Sequence, residues 1–208
     1  TTALNAILGL TSFEGDLKVL GRDPWTDRER LMRDVSFISD VAVLPRWIKV
    51  LQALDYMAGV HPRFDRAKAE RFLTRTSIRS TSKVRELSKG MVAQLHLAIV
   101  MAIDARLLIL DEPTLGLDLL SRKAFYDSLL TDYLERSRTV VVATHQVEEV
   151  QHILTDLMFI DRGRIVFNRR MDDVEALYRE VLVHPDAIGS ARSLNPIYER
   201  QAVGRSVL

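Results

Sequence analysis

The spacing of hydrophobic residues changes several times along the chain, and each change predicts an element. Apolar residues at helical spacing predict helices over Thr1–Leu10, over two stretches between Trp47 and about Ser82, and over Leu87–Ile103. Short apolar runs bounded by glycine or polar residues predict strands over 15–21 and 33–39. This alternation of helical and strand-like stretches indicates an α/β protein.

Two continuous apolar runs of strand length end abruptly in polar residues. The first is RLLILDEP at 106–113, and the second is RTVVVATH at 138–145. A helical stretch separates them, so they are predicted to be parallel strands, buried on both faces and joined by a crossover helix. A hairpin is predicted over 157–167, followed by a short helix over 172–183 and a loosely packed tail.

Composition narrows the function classes. The 208 residues contain 29 Lys and Arg against 28 Asp and Glu, a net charge of +1, which argues against a nucleic-acid binder that depends on attraction to phosphates. There is no cysteine, so these residues form no disulfide and no thiolate metal site. The longest apolar run, LAIVMAI at 97–103, is far shorter than a membrane-spanning helix requires.

Three residues that could bind metal or take part in catalysis stand at the ends of the two buried strands: Asp111, Glu112 and His145. Ligands of parallel α/β sheets bind outside the carboxyl ends of the strands, so these side chains are expected in one place. Asp111 can hold a hydrated magnesium ion, and Glu112 can orient or deprotonate a water that attacks phosphate. His145 could reach the terminal phosphate, although each signal alone also fits an ordinary loop or surface residue.

The whole set of motifs is more specific. LSKGM at 87–91, LLILDEPTLGLD at 107–118 and VVVATH at 140–145 stand in the order and at the separations of ATP-binding cassette (ABC) proteins. From Thr1 to about Phe167 the chain resembles the ATPase subunit of an ABC transporter. The resemblance implies a P-loop NTPase-like ABC ATPase core, with a mainly parallel sheet and a smaller helical lobe at about 47–87.

The resemblance also assigns roles to the strand-end residues. It implies that Asp111 is the Walker B acid of the magnesium shell, Glu112 the catalytic base and His145 the switch histidine. Asp118 resembles the D-loop aspartate that crosses the interface of an ATPase dimer. Asp40 occupies the place of a glutamine that senses magnesium and faces the membrane subunit, and an ordinary turn residue is the alternative at that position.

The family's signature loop, LSGGQ, is altered in this chain. Ser88 and Gly90 match the loop, whereas Lys89 replaces a glycine and Met91 a glutamine. A hydroxyl and free backbone N–H groups at a helix N-terminus still form an anion site. By resemblance, Ser88, Lys89 and Gly90 would bind the terminal phosphate of ATP held by the other subunit.

The opening TTALNAILGL resembles the end of a P-loop and the helix behind it. Thr1 then matches the magnesium-binding hydroxyl, with Thr2 beside it at the nucleotide. The glycines and the lysine of G-x-x-x-x-G-K-[ST] do not precede Thr1. We therefore expect a fragment that starts inside the P-loop, without the upstream strands. We expect this 208-residue chain to bind ATP poorly and to lack activity.

Taken together, the resemblance implies an ATP- and Mg²⁺-dependent ATPase that powers solute transport, in the manner of bacterial exporters of drugs or antibiotics. The implied partners are an integral membrane permease and a second ABC ATPase subunit, identical or not, with no nucleic acid. The implied location is cytoplasmic, peripheral at the inner face of the plasma membrane. The expected nucleotide-binding domain spans 1–183 and the tail 184–208. A non-hydrolysing regulatory cassette and a soluble ABC protein acting on nucleic acid or the ribosome remain alternatives.

Overall fold

A computed structural model describes residues 1–38, 44–132, 138–202 and 205–207. The chain divides into two compact units, Thr1–His152 and Ile153–Leu208. None of the described helices is long and apolar enough to cross a membrane. The predicted α/β class is confirmed, and the first unit carries the residues predicted to perform chemistry.

A three-stranded parallel sheet forms the centre of the first unit. Its strands are β1 (Val35–Ile38), β2 (Leu107–Asp111) and β3 (Thr139–Ala143), with β2 in the middle. Leu107 pairs with both Val35 and Thr139, so all three strands run in register and end at the same edge. Every residue of β2 is buried, as its continuous apolar run predicts.

Helices connect and cover these strands. They are α1 (Thr2–Ile7), α2 (Arg28–Met32), α3 (Val50–Val60), α4 (Arg66–Leu73), α5 (Lys89–Met101), α6 (Leu119–Asp132) and α7 (Val147–Val150). Helices α3 to α5 lie between β1 and β2 in sequence, and α6 lies between β2 and β3. The helical stretch predicted between Trp47 and Ser82 corresponds to α3 and α4, which pack against α5.

Two apolar clusters of described residues belong to the core of the first unit. One joins the helical lobe, from Val50 and Leu54 in α3 to Leu95 and Ile99 in α5. The other lies under the sheet and includes Leu4, Leu8, Leu31, Val35 and Ile109.

An ion network around the buried carboxylate of Asp34 connects the helical lobe to the sheet. Asp34, just before β1, accepts hydrogen bonds from Arg22 at 2.8 Å and from Arg63 at 2.6 Å. Arg63 lies in the turn between α3 and α4, and its carbonyl accepts a hydrogen bond from the Asp104 amide at 2.9 Å. The α3–α4 turn is therefore fixed both to the start of β1 and to the segment after α5.

The second unit begins with an antiparallel hairpin of β4 (Asp156–Asp161) and β5 (Arg164–Arg170). Arg162 and Gly163 both have positive φ at its tip, as a two-residue hairpin turn requires. Helix α8 (Met171–Leu177) and helix α9 (Ile188–Arg192) follow, with a small antiparallel sheet of β6 (Leu182–Val183), β7 (Arg200–Ala202) and β8 (Arg205–Val207) in the order β6-β8-β7.

Three sequence-based expectations differ from the structure. The segment 15–21 is not a strand but a loop with one isolated bridge between Val19 and Arg22, because positive φ at Gly15, Leu20 and Gly21 turns the backbone repeatedly. The helix expected over 172–183 ends at Leu177. The tail contains helix and strand segments that are too short to produce a readable period.

Candidate functional site

The first residue of the chain lies at the carboxyl end of the central strand. The Thr1 hydroxyl donates a hydrogen bond to Asp111 Oδ2 at 2.9 Å. Thr1 is exposed and precedes α1, whereas Asp111 is the last residue of β2 and is buried. Thr2 begins α1 and is exposed. Two of the three residues predicted to bind metal are thus in direct contact.

Glu112 follows Asp111 in an unusual backbone conformation. Its φ is +47°, in the left-handed region that residues other than glycine seldom adopt. The Glu112 amide donates to the Ala143 carbonyl of β3 at 2.9 Å, which fixes the turn out of the sheet. Such strain costs on the order of 1 kcal/mol and persists where the surroundings impose it.

The Glu112 carboxylate is held by the segment that follows β3. Its Oε1 accepts from the His145 amide at 3.0 Å and contacts His145 Nδ1 at 2.7 Å, while its Oε2 accepts from the Thr144 hydroxyl at 3.2 Å. An ionised carboxylate only accepts, so Nδ1 must carry the proton of this contact. The structure therefore joins the predicted base and the predicted switch histidine as one pair.

The altered signature loop lies at the start of α5. Ser88 is the N-cap of this helix, and its hydroxyl oxygen accepts a hydrogen bond from the Met91 amide at 3.2 Å. Lys89 is exposed beside it. An added Cβ at Gly90 would lie 3.4 Å from the Gly116 carbonyl oxygen, an ordinary van der Waals distance, so the loop after β2 passes close to the start of α5.

Asp118 caps the next helix rather than pointing freely from its loop. Its two carboxylate oxygens accept from the Ser121 amide at 3.0 Å and from the Ser121 hydroxyl at 2.7 Å. These hydrogen bonds lower the pKa of the Asp118 carboxyl below its ordinary value. Gln94 of α5 in turn donates to the Ser121 hydroxyl at 3.1 Å, which links the start of α6 to the helix behind the signature loop.

Sequence reasoning missed a set of polar residues around this site. They form hydrogen bonds between the loop after β2, the start of α6 and the segment after β3, and they are Thr114, Arg122, Gln146 and Glu149. Arg122 comes four residues after Asp118, and Glu149 four residues after His145. Helical spacing of this kind could have indicated that both side chains fold back towards the preceding loop.

The oxygen ligands at the strand end are of the type that Mg²⁺ prefers. Magnesium in phosphate-transferring sites is held by one or two protein oxygens, with phosphate and water completing its shell. Thr1 and Asp111 supply such a pair, so the residues present fit the ion. Within the described parts of the chain, no group of three or more His, Asp or Glu side chains forms a metal site. Asp40, the third predicted ligand, lies outside the described residues.

Comparisons with known proteins find relatives that are ATP-binding proteins. The ABC transporter ATP-binding protein YtrB of Bacillus subtilis is 27% identical over 62% of this chain, which covers 44% of YtrB. The Nod factor export ATP-binding protein I of Cupriavidus pinatubonensis is 28% identical over the whole chain, which covers 67% of that protein. The chain thus spans between less than half and two thirds of these relatives.

A solved structure, described as an ATP binding subunit of an ABC transporter, shares the fold. It superposes with a TM-score of 0.73 at 22% identity, over 84% of this chain and 75% of the other. A family model described as ABC transporter matches residues 1–115, more than half of the chain. With the motifs and the parallel sheet, this match places the chain in the ABC transporter family, as one of its ATP-binding domains.

Proposed function

We propose that the chain is the ATP-hydrolysing part of a transporter and that it powers solute export through a separate membrane permease. The observation that carries this proposal is the meeting of Thr1 with Asp111, and of Glu112 with His145, where β2 and β3 end. The export direction is supported by the similarity to the Nod factor export ATP-binding protein I. Two features favour a non-hydrolysing regulatory cassette instead: the altered signature loop, with Lys89 and Met91, and Asp40 in the place of a glutamine.

The four residues of these two contacts have different roles in this proposal. The Asp111 carboxylate and the Thr1 hydroxyl would hold Mg²⁺, which when bound neutralises charge on the phosphates. Glu112 would take a proton from water as the water oxygen bonds to the terminal phosphorus and the bond to the ADP oxygen breaks. His145 would hold the Glu112 carboxylate in place and contact the terminal phosphate.

The signature segment would complete a site on a second copy or a related subunit. Ser88 keeps its hydroxyl proton for an anion, because its oxygen accepts the capping hydrogen bond from Met91. The start of α5, a 13-residue helix, adds the positive end of its dipole. In this dimer Asp118 would lie at the interface between the subunits.

The permease would dock on the helical lobe. The stretch Val41–Leu54 is our candidate surface, although 41–43 lie outside the described residues. Its Trp47 is 70% exposed, and on α3 Tyr56 is 64% exposed. Aromatic side chains exposed in this way are typical of surfaces that bind another protein. Such docking would make the chain a cytoplasmic protein, peripheral at the inner face of the plasma membrane.

The first experiment is a titration with MgATP that follows binding and phosphate release. It compares the 208-residue chain with a chain extended by a G-x-x-x-x-G-K segment joined before Thr1. We propose that only the extended form binds and hydrolyses ATP, because the present sequence contains no G-x-x-x-x-G-K-[ST] loop. Binding by the 208-residue chain would mean that another segment grips the phosphates.

A second experiment tests the base in the form that hydrolyses ATP. Glu112→Gln should lower turnover by at least about 100-fold, the usual contribution of a general base, and should accumulate an ATP-bound dimer. Glu148→Gln on the exposed side of α7 is the matched control and should leave turnover unchanged. Unchanged turnover of Glu112→Gln would remove Glu112 from the role of base.

A further inference from the structure

Arg122 connects its own helix, α6, to two other segments of the first unit through a single guanidinium group. Its Nε donates to the Leu117 carbonyl at 2.9 Å, in the loop that ends at Asp118. Its Nη1 donates to Gln146 Oε1 at 2.7 Å and also pairs with the Glu149 carboxylate. The Arg122 side chain is 26% exposed and that of Glu149 20%, so water competes only weakly for these bonds.

Glu149 closes the same network from the other side. Its second carboxylate oxygen accepts from the hydroxyl of Thr114 at 2.9 Å, and Thr114 is buried. The loop 114–118 and the segment 144–150 are thus joined twice, once through Arg122 and once directly from Thr114 to Glu149. A planar guanidinium with a fixed fork can satisfy acceptors on two segments only when those segments keep one register.

Hydrogen bonds continue from Arg122 and Glu149 to the candidate catalytic pair, Glu112 and His145. The Gln146 amide donates to the Thr144 hydroxyl at 3.0 Å, and that hydroxyl donates to Glu112 Oε2 at 3.2 Å. The Gln146 side-chain nitrogen also lies 3.4 Å from His145 Nε2. The orientation of Glu112 and His145 therefore depends on where Gln146 is held.

We propose that Arg122 and Glu149 are positioning residues that keep the loop 114–118 and the segment 144–150 in one register, and so fix Glu112 and His145. The proposal rests on the proposed hydrolysis of ATP. Neither residue is proposed to contact the nucleotide. Their loss should therefore disturb the positions of Glu112 and His145 more than the binding of ATP. Small displacements of reacting groups lower rates by about 100-fold.

The test uses Arg122→Met in the ATP-hydrolysing form of the protein. We expect kcat to fall about 10- to 100-fold while KM for MgATP changes less than about 3-fold. Lys123→Gln, which removes a charge from the neighbouring exposed position of α6, is the control and should change neither quantity. Arg122→Lys keeps the charge without the fork and should not restore kcat.

Two further measurements separate positioning from a loss of general stability. Glu149→Gln combined with Arg122→Met should lower kcat no further than Arg122→Met alone, since both act through one network. Amide hydrogen exchange should become faster in residues 144–150 of Arg122→Met and stay unchanged in α3 and α4. Additive losses, or unchanged exchange in 144–150, would overturn the proposal.

The same exchange measurement distinguishes this inference from the proposed function. If the wild-type protein hydrolyses no ATP in any form but Arg122→Met still loosens 144–150, the proposed function fails and the positioning network stands. If ATP is hydrolysed and Arg122→Met keeps the kcat of the wild type, the proposed function stands and the positioning role is wrong.

Discussion

Replacing Asp34 by alanine removes the carboxylate that joins the helical lobe to the start of β1. Its side chain is 9% exposed, and it accepts from Arg22 at 2.8 Å and from Arg63 at 2.6 Å. Removing one partner of a fully buried ion pair costs about 3–5 kcal/mol. Because the two arginines are 33% and 43% exposed, water can reach them after the change. We therefore expect Asp34→Ala to lower the free energy of unfolding by about 2–3 kcal/mol.

Urea unfolding followed by circular dichroism measures this loss. The midpoint should fall while the slope of the unfolding free energy with urea stays constant. Glu29→Ala is the control, because Glu29 and Arg33 lie at the same 2.8 Å but are 87% and 60% exposed. An exposed pair of this kind contributes about 0.3–0.5 kcal/mol. Equal losses for Asp34→Ala and Glu29→Ala would refute the reasoning that burial makes the network strong.

The same network has a defined pH dependence. The hydrogen bond from Arg22 is the main cause that lowers the pKa of Asp34 below its ordinary value. A carboxyl with a lowered pKa in the folded state stabilises the protein fully above its unfolded pKa of about 3.9, and loses this contribution as pH falls through the folded value. The difference in stability between wild type and Asp34→Ala should therefore be constant from pH 7 to about pH 5 and shrink in more acidic solution.

Four other changes test local features. Gly9→Ala should destabilise by more than about 2 kcal/mol in urea unfolding, since Gly9 has φ +62° and an added Cβ would lie 1.9 Å from the Pro24 carbonyl oxygen; Gly59→Ala in α3, where nothing lies within 4 Å, should stabilise by about 0.5 kcal/mol. Asp65→Ala removes the N-cap of α4 and should cost about 1 kcal/mol by the same method. Burial lowers the pKa of His96, so the unfolded chain binds its proton first and stability falls as pH drops below about 6.5; His96→Gln should flatten that fall in unfolding curves measured at several pH values.

The sequence predicted the elements whose signals are local and strong. The apolar run of β2 and the helix start at Ser88 need only neighbouring residues to be read, and the structure places them as expected. The motif order identified the family before any contact was known, and the family match confirms it. The roles assigned to the individual site residues stay predictions.

The features that the sequence could not reveal depend on distant partners or on backbone rotation. The loop at 15–21 reads as a strand because positive φ at Leu20 cannot be inferred from a leucine. In the sequence, Arg122 and Glu149 look like ordinary charged residues of helices. Their ion pair forms only because α6 and the segment after β3 pack together. Three strands of two or three residues in the second unit are too short for alternation to be detected.

The hydrogen bond from Thr1 to Asp111 spans 110 positions of the chain, and this separation bears on how the protein matures. Contacts between distant residues form late, because the entropy of closing a long loop opposes them. During synthesis the helical lobe emerges before β2, so its local contacts can form while the pair of Thr1 and Asp111 is still incomplete. A nascent chain that ends before Asp111 therefore cannot assemble this pair, so the candidate site forms only after β2 has been synthesised.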